Sequence, residues 1–454
     1  MTDIFVHHLR RHDGVLRVPR AGAVVWDDED LHAAAYRRDP VAYALSALGP
    51  GIHSGQRARV LLRLLTASWA GLEPGPRETL NRVARVLALG LAPADVLTVL
   101  LAARRRRANH KHVTRVALAV LFEHPRAAEI VGARRGLAVD CFEHALGKAT
   151  ARGRYAALTA ADVPATADAA ADVPATARGP RAASGTAGDA GRGVGGHFGL
   201  STLAALYEPS SVDVALPGAL LDFELAGERP GTVTATNRGD LAATLVHLYR
   251  GGPAGELLAA ADGYARAITD GMPRYDGRIA LVVDQSASMR GYGTREWAVL
   301  SQVAALRMVL ERVAPGLVVV EAGGVDGRPG GATDLASAVL DAAETGPDVI
   351  AVASDGYENV YPGDLARVAA ALPGAGIAAP VVFCQAAFGR ADDLALRRAA
   401  GGLPLRTFWH SGDLAGLVLW MLSQVDGPEA GRWVGLELRR RLAALETALE
   451  GVPR

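Results

Sequence analysis

From Arg278 onward the chain alternates short apolar runs with helix-length segments, and this alternation limits the possible fold more than any other feature. Ile279–Asp284, Leu317–Val320, Val349–Val352, Pro380–Cys384 and Leu405–Trp409 read as strands. Trp297–Val313, Asp334–Ala343, Asp364–Leu372, Asp393–Ala400 and Asp413–Leu422 read as the helices between and after them. Apolar strands that lack a polar face need cover on both sides, and parallel neighbours need a crossover of helix length. The pattern therefore predicts an α/β, doubly wound, parallel sheet over residues 273–424. Ligands in such open sheets bind at the carboxyl ends of the strands. The polar residues collect at those ends: Asp284-Gln-Ser-Ala-Ser288 after the first strand, Thr333-Asp334 behind the loop Gly330-Gly331-Ala332, and Ser354-Asp355-Gly356 after the third.

The first half reads differently. Leu31–Leu48, Ser54–Trp69, Arg77–Leu89, Pro93–Arg107, His112–Phe122 and Gly136–Ala149 carry apolar residues near helical spacing, and Val113, Val116, Ala117, Val120 and Leu121 form one clean stripe. Gly and Pro mark the joints at 49–51, 73–76 and 90–93. Short turns between such helices predict an α-helical, HEAT-like antiparallel solenoid over residues 1–155. Residues 156–197 repeat ADVPATA and then run through Gly, Ala, Ser and Arg, a composition that cannot offset ordering entropy, so they read as a flexible linker. Residues 198–272 return to helix-forming sequence, apart from the β-prone run Thr232–Thr236. In residues 425–454, Leu438, Leu442, Leu445 and Leu449 make an apolar stripe that must dock on something, because a lone helix of this length is marginal in water.

Composition removes several classes. Half the residues are hydrophobic, which rules out wholesale disorder, and Cys141 and Cys384 are too few and too isolated for a zinc knuckle or a disulfide framework. The start, MTDIFVHHLRRHDG, has no apolar core of a signal peptide, and Val83–Ala103 carries Arg85 and Asp95, so a soluble, cytoplasmic protein without membrane partners is expected. The net charge of zero conceals a division. Residues 1–155 hold 24 Lys and Arg against 14 Asp and Glu, and the rest of the chain carries the opposite balance. The basic half asks for an anionic partner. Its densest cations, Arg104, Arg105, Arg106, Arg107, His110, Lys111, His112 and Arg115, lie at one helix end and the start of the next, a pattern that fits a phosphate footprint. The alternative is a solvated basic face, or a patch that docks on the acidic half. Aromatic residues are not interleaved there, so backbone contact to structured RNA fits better than single-strand stacking.

The strand-end set offers two carboxylates and three hydroxyls from Asp284, Ser286, Ser288, Thr333 and Asp355. These hard oxygens suit an octahedral Mg²⁺, with Mn²⁺ or Ca²⁺ as substitutes, and the neutral hydroxyls leave the cation enough field to seek an acidic sixth ligand. The alternative is that Asp and Ser merely cap the turns that follow. No nucleophile with a base and orienter is visible; Cys141 near His144 lacks one, and a binding protein rather than an enzyme is expected.

This arrangement resembles the von Willebrand factor A domain and its metal-ion-dependent adhesion site, D-x-S-x-S…T…D. The resemblance implies that Ser286, Ser288 and Thr333 contact the metal directly, that Asp284 and Asp355 act mainly through water, and that a protein partner supplies an acidic ligand. Family members usually place a further strand and helix before the Thr loop. Here a glycine-rich bridge from Glu321 to Gly331 takes their place. A second resemblance, carried by Asp284-Gln-Ser-Ala-Ser-Met289, Leu257–Tyr264 and Ser354-Asp355-Gly356 behind a helical half, is to the Ro ribonucleoprotein family with its TROVE module. It implies binding of structured noncoding RNA of the Y-RNA kind, on a ring of HEAT-like repeats closed by the A domain. The rival expectation is an adaptor or scaffold for a MoxR-type AAA+ ATPase or similar complex, without RNA. A metal-dependent hydrolase is the third class, and the missing general base argues against it.

Overall fold

The protein, seen in a computed structural model, is described for residues 2–14, 16–19, 23–106, 110–161, 200–208, 215–227, 240–325, 328–358, 360–389, 392 and 401–452. Most of the sequence expected as linker, the run Thr232–Thr236 and the helix expected at Asp393–Ala400 lie outside these residues. Residues 156–161, expected to open the linker, are instead the last turns of the helix Lys148–Ala161.

Helices occupy the first half as the apolar spacing predicts, with corrections. The helix expected over Gly136–Ala149 breaks at Gly147, where φ is +83°, into Arg135–Leu146 and Lys148–Ala161. Thr2–Arg11 and Ala127–Ala133 are helices that the spacing does not give. The stretch read as one helix over Leu31–Leu48 is two, Glu29–Arg38 and Pro40–Ser46. Pro40 keeps the preceding residue out of helical conformation, and Asp39 is extended at φ −155°, its carboxylate accepting the Val41 and Ala42 amides at 3.0 and 2.9 Å. Ser54–Thr66 packs on Pro74–Gly90 and Pro93–Arg105, and His110–Leu118 packs on Arg135–Leu146.

The five apolar runs form one parallel sheet of strands β1 (Arg278–Asp284), β2 (Gly316–Ala322), β3 (Val349–Ser354), β4 (Val381–Ala386) and β5 (Leu405–Phe408). The order is β2-β1-β3-β4-β5, so the winding reverses between β1 and β3. Alternate residues of β1 feed two cores. Ile279, Leu281 and Val283 join the large core shared with the helical half, whereas Ala280 and Val282 pack under Leu335–Glu344 and Asp364–Ala371.

The two halves are fused through that large core, which runs from Leu61 and Leu87 to Leu310 and Trp433. The C-terminal stripe docks there: Leu438, Leu442 and Leu445 are buried in the helix Pro428–Glu450, and the Trp433 indole donates to the Pro273 carbonyl at 2.7 Å. Arg441 is buried, its guanidinium donating to the carbonyls of Leu48 and Phe223. Glu224 ties the halves again, accepting from the Gly51 amide at 2.9 Å and pairing with Arg406 at 2.6 Å. Among the described residues no helix is long and apolar enough to cross a membrane.

Candidate metal centre and nucleic-acid interface

The winding reversal leaves a crevice between the carboxyl ends of β1 and β3, and Asp284 and Ser354 end these two strands. Asp284 is fully buried. One carboxylate oxygen accepts from the Ser286 amide at 2.8 Å, and the other accepts from the Ser354 hydroxyl at 2.5 Å. Burial pushes its pKa up to about 6, against the lowering effect of those hydrogen bonds. The Ser286 and Ser288 hydroxyls stand 3.0 Å apart. Asp355, also buried, accepts from the Tyr357 amide at 3.1 Å.

Thr333 reaches this set through the shortened bridge. The loop after β2 lies directly on the Asp284–Ser288 loop: the Gln285 amide donates to Ala322, the Gly330 amide to Gln285 and the Ala287 amide to Gly331, at 2.7, 3.0 and 3.3 Å. Only glycine permits this contact at Gly323, where φ is +80° and an added Cβ would come within 3.2 Å of the Ser286 amide nitrogen and the Ala332 carbonyl. Three backbone hydrogen bonds thus do the positioning that a longer crossover would otherwise do. Asp334 then caps the helix Leu335–Glu344, accepting from the Ser337 amide and hydroxyl, which separates its role from that of Thr333.

The donor set fits a hard cation. The Thr333 hydroxyl is buried and has no hydrogen-bond partner among the described residues, a condition costing about 1–3 kcal/mol unless a ligand restores the lost contact. Exposed aromatic rings ride on the same loops. Tyr292 follows the Ser288 turn, and Tyr357 and Tyr361 follow Asp355. Nothing in the spacing of these tyrosines marks them as exposed in the sequence.

The basic cluster is built differently. Arg106 forms a two-pronged ion pair with Glu29 and lies over the Trp26 ring at 5.2 Å. Arg104 pairs with Asp140, and Arg105 donates to the Pro19 carbonyl. His112 packs on the Trp69 ring at 4.3 Å, and burial together with Arg115 lowers its pKa. Arg115 is exposed. His110 and Lys111 lie in the helix His110–Leu118, and Arg107 falls outside the described residues. The three described arginines of the run thus turn toward three different partners within the helical half. Elsewhere, burial pushes the Cys141 thiol up to about 11, which keeps it protonated near neutrality.

No family model matches the chain, and no curated protein matches it. Among solved structures, the crystal structure of the Deinococcus radiodurans RO (RSR) protein aligns over 93% of this chain and 100% of that one, with 13% identity and a TM-score of 0.39. A likeness at that level carries no functional weight.

Proposed function

We propose that the chain binds a divalent cation, Mg²⁺ in the first instance, at the crevice between β1 and β3, and recognises through it an acidic side chain of a protein partner. The observation that carries this reading is the buried Thr333 hydroxyl, left without a partner among the described residues on a loop whose Gly331 carbonyl accepts from the Ala287 amide of the Ser286–Ser288 turn. Ser286, Ser288 and Thr333 would hold the ion, with Asp284 and Asp355 behind them. A bound cation supplies an electrophilic coordination position that a carboxylate can fill. The protein's own residues do the rest. The Ser286 amide and the Ser354 hydroxyl hold the Asp284 carboxylate in one orientation, and the glycine bridge holds Thr333 against the Ser286 loop. The exposed Tyr292, Tyr357 and Tyr361 offer large, rigid contact area around the opening. The helical half serves as the scaffold fused to this domain.

The test is a thermal melt with and without Mg²⁺. At an ion concentration 100 times Kd the folded state gains about 2.7 kcal/mol, and Asp284→Ala should remove that gain. An undiminished metal response in the variant would refute the assignment.

The charge division supports a second reading, in which the basic half also binds structured noncoding RNA through phosphate contacts. Its test is filter binding at two salt concentrations. Replacing Arg105, Arg107, Lys111 and Arg115 by Glu should abolish a salt-sensitive affinity while Asp284→Ala leaves it unchanged.

A further inference from the structure

A second group of metal-ligating side chains lies in the helical half, far along the chain from the strand-end crevice. His8 on the helix Thr2–Arg11, Asp28 at the start of Glu29–Arg38, and His32 four residues later bring one ligand atom each within 4.8 Å of one another. We propose that His8 Nε2, Asp28 Oδ2 and His32 Nε2 form a binding site for a borderline divalent cation of the Zn²⁺ class, independent of the oxygen-lined site at the sheet.

The distances place the three ligand atoms within reach of one shared ion. His8 Nε2 lies 2.7 Å from Asp28 Oδ2. His32 Nε2 faces the same oxygen at 3.7 Å, too far for a hydrogen bond. Ligand atoms around a tetrahedral Zn²⁺ stand about 3.3 Å apart when each bond is about 2.0–2.1 Å, so both separations need to change by only a fraction of an ångström. Gln56 Oε1, 2.9 Å from His32 Nε2, puts a neutral fourth donor within reach.

The surrounding side chains orient these ligands as second partners do in metal sites. The other Asp28 oxygen, Oδ1, accepts from the Trp26 indole at 2.7 Å and pairs with Arg59, while Oδ2 faces the two imidazoles and also accepts from Gln56 Nε2 at 2.9 Å. The far nitrogen of His32, Nδ1, meets the buried Tyr43 hydroxyl at 2.8 Å. A hydroxyl both donates and accepts, so Tyr43 suits the tautomer in which Nε2–H donates to Gln56 and equally the one in which Nε2 ligates an ion and Nδ1–H donates. Two imidazoles and one carboxylate prefer Zn²⁺ or Co²⁺ over Mg²⁺, the reverse of the hydroxyl-lined crevice.

The experiment is equilibrium dialysis of the full chain against Zn²⁺ in excess Mg²⁺, with Co²⁺ absorption as the spectroscopic reporter. The Asp284→Ala variant should retain one equivalent of Zn²⁺ and show visible ligand-field bands with Co²⁺. His8→Gln, a change at a partly exposed position, should abolish both. Tyr43→Phe should weaken binding by about 10–100-fold while circular dichroism stays native. Absence of stoichiometric Zn²⁺ in Asp284→Ala would overturn the proposal. So would loss of Zn²⁺ with His12→Gln but not with Asp28→Asn, because that result places the ion on the exposed histidine stacked over His8 at 4.3 Å.

Discussion

The strand-end crevice and the basic run Arg104–Arg106 are both rich in polar groups, but they differ in whether those groups are satisfied; elsewhere in the helical half Arg59 Nε, Arg63 Nε and His124 Nε2 are also buried without a partner among the described residues. At the crevice a buried hydroxyl on Thr333 has no partner, and two serine hydroxyls face each other at 3.0 Å. In the helical half Arg106 is engaged by Glu29 and Trp26, Arg104 by Asp140, and Arg57 lies 3.9 Å from Glu224. An unsatisfied buried donor or acceptor is costly and points to a missing ligand, whereas a paired one is part of the fold's own stabilisation. Charge density alone does not distinguish the two cases.

The largest expected effect comes from closing the open valence. Thr333→Val keeps the shape and removes only the unpartnered oxygen. Without metal the variant should be as stable as the wild type or more so, while the roughly 2.7 kcal/mol gained at 100 times Kd of Mg²⁺ should largely disappear. A variant that melts lower without metal and still responds to Mg²⁺ would remove the contrast between the regions.

A smaller effect is expected where the valences are filled. Glu224→Gln leaves Arg57 and Arg406 without their carboxylate and should cost about 1–3 kcal/mol in a urea titration. The pair also makes a pH statement. Burial raises the Glu224 pKa, but Arg406 and the Gly51 amide outweigh it and hold the group below its ordinary 4.5. Stability from this depressed carboxylate is therefore complete above about 4.5 and declines as the pH falls through the folded-state value. The Gln variant should lose less stability between neutral and acid pH than the wild type; an equal loss would assign the acid sensitivity to other groups.

The smallest effect should follow Arg106→Ala. Its ion pair with Glu29 is partly exposed, so removal should lower stability by about 1 kcal/mol or less. The helical half would then hold Arg106 for its fold. Unchanged stability together with a marked loss of RNA affinity would instead move this arginine from the satisfied class to a binding surface.

The parts of the fold governed by local pattern were legible in advance. All five strands of the sheet fall on the apolar runs, because a strand buried on both faces leaves a contiguous signature in the chain. The break at Asp39-Pro40 is hidden in the pattern although the dipeptide stands in the sequence, since the apolar period continues on either side of it. At the crevice, the five candidate residues were named from motif spacing, whereas the contacts that hold the Gly330–Gly331 loop against the Asp284–Ser288 loop are backbone hydrogen bonds of a glycine bridge with no period to reveal them.

What the chain determined by itself is the five strands, most of the helices and the placement of Asp284, Thr333 and Asp355 after strands, all set by covalent order and side-chain type over short spans. Tertiary structure alone decided which polar groups are satisfied. Arg106 and Glu29 are 77 residues apart, Gln56 and Asp28 are 28, and Glu224 and Arg406 are 182. A hydrogen bond depends on distance and direction in space, and no local pattern carries that information across such separations.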